Sequence, residues 1–321
     1  MKKILIARPT FPATVERLRL HFEVDFHDAD PALNGPELIA RLQGRQGLYA
    51  SPSTAVNAAV FEACPDLRVV ANMAVGYNNI DLAAAARAGV IVTNTPGVLD
   101  NATADFAWAL LLAAARRVTE AEQLLRDGKW TSWRYDSMLG ADTGGATLGI
   151  LGMGRIGAAI ARRAAGFDMQ VLYHNRTPAH PHAAPGARYT DKDTLLATCD
   201  HVIVAVPYTP QTHHLIGPRE LALMKPTAVL VNIARGGVVD DAALAVALQE
   251  RRIAAAGLDV FENEPAVLPA LLACTNVVLT PHIASATLSA RKAMAELAAD
   301  NLIAALSGQE PLNRVALPPS N

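Results

Sequence analysis

"TLGILGMGRIGAAIARRAAGFDMQVLYHNRT", residues 147–177, begins with a short apolar run, breaks at glycines, continues through an Ala-rich stretch and closes on a second apolar run. That order is strand, turn, helix, strand, the context in which a glycine motif signals a dinucleotide site. Gly152-Met153-Gly154-Arg155-Ile156-Gly157 matches G-x-G-x-x-G. Gly152 permits the tight turn, Gly154 lets backbone approach a pyrophosphate, and Gly157 lets helix and strand pack closely. Free N–H groups at the start of the helix would face the phosphates. About 20 residues on, such a unit usually carries an Asp or Glu for a ribose hydroxyl. Here the place reads His174-Asn175-Arg176-Thr177, without a carboxylate. Arg176 can pair with a 2′-phosphate, and Asn175 and Thr177 can donate hydrogen bonds to it. A solvated arginine on a loop is the other reading. The residues favour NADPH, with NADH the weaker cofactor.

Outward from this unit, β-branched runs alternate with Ala/Leu helical patterns, as in parallel sheets covered by helices. A first series holds strand candidates at 3–7, 22–27, 47–51, 67–73 and 90–93, with helices such as 15–20 and 82–88 between them. A second series begins near Thr147 and continues with "QVLYH", "HVIVAVP", "AVLVNIA", "AAGLDVF" and "NVVLTPH". Helical patterns at 155–165 and 241–251 separate its strands. The chain therefore reads as α/β with two doubly wound domains, which also suits 321 residues. One long apolar helix is expected over 101–128, with Asp100 or Asn101 as cap and Gly128 as stop. A last helix, about 288–306, fits either domain on periodicity alone. "RTPAHPHAAPGARY" (176–189) reads as a surface loop beside the nucleotide site.

Composition narrows the function. Hydrophobic residues make up 51% and charged residues 18%, with a net charge of −2, so no basic stripe points to nucleic acid. The opening run "ILIA" stops at Arg8-Pro9, too short for a signal peptide, and reads as a buried strand. No stretch of about 18 apolar residues predicts a membrane span. Cys64, Cys199 and Cys274 stand alone, without metal spacing, which fits reduced core cysteines and a cytoplasmic protein. His180 and His182 flank a proline and read as solvated, and no metal is expected.

Three later segments put polar residues directly after buried strands: Arg235 in "VNIARGGVVDD", Asp259 and Glu264 in "GLDVFENEP", His282 in "LTPHIASAT". Ligands of open α/β sheets bind beyond the carboxyl ends of strands. The set suits reduction of a 2-keto acid. Charge develops on the carbonyl oxygen, and a histidinium can supply the proton. A nearby carboxylate favours the imidazolium. Arginine offers a fork for the carboxylate and polarises the carbonyl.

At these residues the sequence resembles the D-isomer-specific 2-hydroxyacid dehydrogenases, in the glyoxylate/hydroxypyruvate and 2-ketogluconate reductase branch. The likeness spans nearly the whole chain, through "VVANMAVGYNNID", "TADFAWALLLA", "LGILGMGRIG" and "VAVPYTPQTHHLIG" as well as the three segments above. The resemblance implies that Arg235 binds substrate, Glu264 tunes the histidine and His282 is the acid/base. It implies that backbone N–H groups at Val75 and Gly76 hold the substrate carboxylate. Thr103, Arg155, Ile156, Val206, Pro207, Thr212, Ile233, Ala234, Asp259, His282 and Ala284 would fall at the cofactor. Asp259 would meet the nicotinamide carboxamide, or else cap its local turn. Asn72 and Tyr77 read as packing or loop support.

The family architecture implies a Rossmann cofactor domain (99–285) inserted into a flavodoxin-like discontinuous substrate domain (1–98 and 286–321). Hinges would lie near 98–100 and 284–286, with closure excluding water. Helix 101–128 and the segment holding Trp130, Trp133 and Tyr135 resemble the family's homodimer region; packing on the long helix is the equal alternative. Small 2-keto or 2-hydroxy acids are the expected partners, with no nucleic acid and no membrane. Two other readings stand behind this one: an NAD-linked D-glycerate-type dehydrogenase, disfavoured by the missing ribose carboxylate, and a nucleotide-sensing corepressor-like protein.

Overall fold

The computed structural model describes residues 1–180 and 184–318. In chain order the elements are β1 (Lys3–Ile6), α1 (Pro12–Arg19), β2 (Glu23–Phe26), α2 (Gly35–Leu42), β3 (Gly47–Ala50), α3 (Ala58–Ala63), β4 (Val69–Asn72), α4 (Leu82–Arg87) and β5 (Ile91–Thr93). There follow α5 (Asp100–Ala115), α6 (Val118–Arg126), β6 (Thr147–Leu151), α7 (Arg155–Ala164), β7 (Gln170–His174), β8 (Arg188–Tyr189), α8 (Lys192–Thr198) and β9 (His201–Val204). The chain closes with α9 (Pro218–Leu223), β10 (Val229–Asn232), α10 (Asp241–Gln249), β11 (Ala255–Leu258), α11 (Pro269–Leu272), β12 (Val277–Leu279) and α12 (Leu288–Leu306).

The chain divides into two compact units, Met1–Leu99 with Thr287–Asn321, and Asp100–Ala286. In the first unit five parallel strands run in the order β2-β1-β3-β4-β5, the flavodoxin-like pattern. In the second the order is β12-β11-β10-β9-β6-β7-β8, also parallel, a Rossmann order extended by one strand. Both sheets are covered on two faces, so their strands are continuous apolar runs: β1, β3, β4, β9, β10 and β11 are almost wholly buried.

The last helix belongs to the first unit. α12 lies on β3, β4 and β5 and beside α1, burying Ala298, Ala299, Leu302 and Leu306. Gly47 in β3 allows this approach, because a Cβ there would stand 2.9 Å from Leu306. In the second unit α5 packs on α7, β10 and β11. Gly257 of β11 lies so near α5 that a Cβ would meet Leu110 at 3.0 Å.

Two expectations need correction. The helix expected over 101–128 is broken into α5 and α6 at Arg117, whose φ is 55°. The cause is local: the returning segment donates the Ala141 N–H to Ala115 O at 2.8 Å and lays Gly140 against the same carbonyl. That carbonyl is thus taken before the helix can continue. Nor is 176–189 wholly loop. Arg188 and Tyr189 add the edge strand β8, pairing with Leu172 and Tyr173, and the Tyr173 and Tyr189 rings meet edge to face at 5.6 Å. His182 lies outside the described residues.

Candidate active site

The glycine turn follows β6. Gly152 has φ +104°, and a Cβ there would strike the Ala205 carbonyl carbon at 2.7 Å. At Gly157 a Cβ would fall 2.1 Å from Gly152 O, so turn and helix close on each other only as glycines. Gly154 has open space where its Cβ would be, and it caps α7 without any side-chain bond. The first turn of α7 therefore keeps uncapped N–H groups beside an opening, which fits a pyrophosphate. Asn175 also has a structural role. Its Oδ1 accepts the Met153 N–H at 2.6 Å and so ties the end of β7 to the glycine turn, leaving its amide nitrogen as donor. Arg176 and Thr177 beside it are exposed.

All seven strands of this sheet are parallel, so their carboxyl ends share one edge. That edge carries Gly152 after β6, Val206 and Pro207 after β9, Ile233 to Arg235 after β10, Asp259 to Glu264 after β11 and His282 to Ala284 after β12. Thr212 spends its hydroxyl locally, donating to Pro207 O at 2.8 Å. Thr103 is buried on α5, and Arg155 is exposed at the head of α7.

Two of the three expected reacting side chains touch. His282 Nδ1 donates to Glu264 Oε2 at 2.7 Å, and Glu264 Oε1 accepts the Phe261 N–H at 3.0 Å. Burial would raise the Glu264 carboxyl, but the hydrogen bond and charge of His282, the Phe261 N–H and the Arg235 charge together outweigh it, and Glu264 ends below its usual range. With Nδ1 held, Nε2 is the imidazole nitrogen left for a reacting group. His282 sits at φ 54°, a backbone conformation that persists only where surroundings enforce it. Arg235 donates Nη1 to Ala234 O at 2.6 Å. Burial draws its guanidinium below the ordinary value, against the pull of Glu264. The next residue, Gly236, lies on the Phe261 carbonyl so closely that a Cβ would stand 1.7 Å from its oxygen. The loops bearing Arg235 and Glu264 are thereby packed together.

Asp259 enforces the His282 backbone. It is fully buried; Oδ1 accepts from Thr280 Oγ1 at 2.7 Å and the Ile283 N–H at 2.8 Å, and Oδ2 accepts the Ala284 N–H at 2.7 Å. Both of its oxygens serve the loop on either side of His282, the turn-capping role that the sequence also allowed.

Sequence reasoning passed over a charged cluster behind these loops. His214 Nε2 lies 2.9 Å from Glu262 Oε1 and its Nδ1 3.6 Å from Asp240 Oδ2. Its ring stacks on His213 at 3.9 Å, and His213 Nδ1 meets the Tyr208 hydroxyl at 3.3 Å. Asp241 accepts the Glu262 N–H, and Glu262 accepts the Asp241 N–H, both at 3.1 Å. Burial, with the Glu262 and Asp240 charges, pushes the Asp241 carboxyl up to about 6. In sequence Asp240-Asp241 reads as an ordinary helix cap, which Asp240 is. The partners lie too far along the chain for the pattern to show. One ring nitrogen of His214 and one carboxylate oxygen each of Asp240 and Glu262 lie within 4.8 Å of one another.

In the first unit, Val75 and Gly76 lie past the carboxyl end of β4 and are half-buried.

Residues 108–284 match the family model for the D-isomer specific 2-hydroxyacid dehydrogenase, NAD binding domain. The chain is 49% identical over 314 residues to a glyoxylate reductase of Thermococcus onnurineus, covering 96% of this chain and 94% of that one. It is similar in structure to a glyoxylate reductase from Paecilomyes thermophila, with a TM-score of 0.90, 34% identity and 98% of each chain covered. An NADPH-dependent glyoxylate/hydroxypyruvate reductase from Sinorhizobium meliloti, solved with NADP and malonate, gives a TM-score of 0.87 at 40% identity, covering 98% of this chain and 97% of that one. No helix among the described residues is long and apolar enough to cross a membrane.

Proposed function

The chain belongs to the D-isomer specific 2-hydroxyacid dehydrogenase family, in its glyoxylate reductase branch, and on that premise we propose that it reduces glyoxylate, hydroxypyruvate and related 2-keto acids, 2-ketogluconate among them, to D-2-hydroxy acids with NADPH. The observation that carries the reading is the His282–Glu264 pair at 2.7 Å on the strand edge that bears the glycine turn and Arg235. The uncapped first turn of α7 and the opening at Gly154 suit the cofactor's pyrophosphate, and the bound nicotinamide supplies hydride. Arg235 grips the keto-acid carboxylate and draws charge toward the carbonyl oxygen. His282, held as donor at Nδ1 by Glu264, delivers the proton from Nε2 to that oxygen. Val75 and Gly76 offer backbone N–H groups to the substrate carboxylate.

The NADPH preference rests on the absence of a carboxylate at 174–177 and on exposed Arg176 and Thr177 there. Steady-state rates with glyoxylate, hydroxypyruvate and 2-ketogluconate, each with NADPH and NADH, test the whole reading. We expect turnover with NADPH and D-glycerate from hydroxypyruvate. No turnover of any of the three, or an L-product, refutes it.

The segment after α5 supports a homodimer. α6 has no buried residue, and Trp130, Trp133 and Tyr135 are 60, 78 and 82% exposed. Large aromatic groups left in water are an association signal. Light scattering on the intact protein and on Trp133→Glu checks this: dimer and monomer are the expected pair of results.

A further inference from the structure

On the loop holding Val75 and Gly76, the carbonyls are tied down and the N–H groups are not. Asn94 Nδ2 donates to Val75 O at 2.8 Å, and Asn72 Nδ2 donates to Gly76 O at 2.9 Å. In a planar trans peptide the N–H points opposite to its carbonyl. Pinning Val75 O therefore turns the Gly76 N–H away from Asn94, and pinning Gly76 O turns the Tyr77 N–H away from Asn72. Among the described residues, the N–H groups of Val75, Gly76 and Tyr77 have no acceptor. Successive free N–H groups of this kind form an anion-binding concavity.

The two asparagines are themselves braced. Asn72 is fully buried and pairs with Asn79, its Nδ2 3.2 Å from Asn79 Oδ1 and its Oδ1 3.3 Å from Asn79 Nδ2. Asn79 Nδ2 also donates to Ser51 O at 3.1 Å and Thr54 O at 3.0 Å, which joins the loop after β3 to the loop after β4. The Asn94 backbone is held from the C-terminal segment: its O accepts from buried Asn301 at 3.2 Å, and its N–H donates to Asn313 O at 3.2 Å.

We infer that Asn94, Asn72 and Asn79 are positioning residues that aim the backbone N–H groups of Gly76 and Tyr77 at the carboxylate of a 2-keto acid, so that Tyr77 adds a donor to the cradle. This deepens the proposed function and rests on it for the identity of the anion. Neutral amides suit the task, since they orient dipoles without placing a negative charge beside an incoming anion.

The test uses the NADPH-saturated protein and oxamate, a non-reducible 2-keto-acid analogue, followed by calorimetry. Wild type is compared with Asn94→Ala and the milder Asn94→Ser, and glyoxylate kinetics run alongside. Freeing one charge-assisted donor should raise the oxamate Kd and the glyoxylate KM together by about tenfold or more, with kcat and NADPH affinity changed less than about threefold. Oxamate affinity within about twofold of wild type in both variants overturns the inference, as does equal loss of kcat and NADPH binding, which marks mere unfolding. If wild type binds oxamate, the variants weaken it and no keto acid is turned over, the cradle stands and the proposed reaction falls. If glyoxylate is reduced and the variants bind oxamate normally, the cradle alone falls. A wild type that binds no oxamate refutes both.

Discussion

Beyond β10, β11 and β12 the loops are stitched by charge: Glu264 on His282, Asp259 across three donors, His214 between Asp240 and Glu262. Beyond β3, β4 and β5 the same structural work falls to neutral amides, with Asn72, Asn79 and Asn94 holding carbonyls of four residues. The difference follows the chemistry proposed for each region. Moving a proton requires a group that changes charge and a fixed counter-charge to govern it. Receiving an anion requires aimed dipoles that do not titrate. A carboxylate among the asparagines would repel the proposed anion, and an amide in place of Glu264 would leave His282 without a counter-charge.

Breaking the charged half should have the largest effect. Arg235→Lys keeps the charge but loses the fork, and kcat/KM for glyoxylate should fall on the order of 10²- to 10³-fold while the KM for NADPH is nearly unchanged. A loss under about threefold in steady-state assays would mean that the fork is not used. Next comes the cofactor end of the same sheet. Arg176→Ala should raise the KM for NADPH about tenfold or more and leave that for NADH within about twofold. Equal changes would remove the phosphate assignment.

The smallest effect sharpens the contrast through pH. Asp241 is buried with its carboxyl raised from 3.8 to about 6, so the folded state holds a proton that the unfolded chain has released between those values. Stability conferred by this site must therefore decline as pH rises from 3.8 to about 6 and level off above. Asp241→Asn retains an acceptor for the Glu262 N–H and should abolish that decline, raising stability at pH 7 by at most about 3 kcal/mol. Urea unfolding at pH 4, 5, 6 and 7 reads it, and parallel curves for variant and wild type would contradict it.

Much of this was legible in the sequence because parallel strands buried on two faces are continuous apolar runs, and the polar residues that end them stand out. Arg235, Glu264, His282 and the three glycines were visible on that ground. The residues that hold them were harder to see. Asp259 was visible as a strand-end acid, but its three donors lie 21 to 25 positions away. Asn79 and Asn94 act on backbone carbonyls, which no side-chain pattern reveals. The break at Arg117 depends on Ala141 returning to Ala115, a tertiary contact that overrides a helical composition. The Asn175 side chain illustrates the same limit, since its residue type fitted a phosphate while its oxygen serves the glycine turn.

The most direct measurement is His282→Ala, assayed for glyoxylate reduction and, by fluorescence, for NADPH binding. Turnover should drop on the order of 10³-fold or more, with the NADPH Kd within about threefold of wild type. Turnover near the wild-type rate, with NADPH still bound, would show that the proton comes from elsewhere and that the His282–Glu264 pair is not the centre of the reaction.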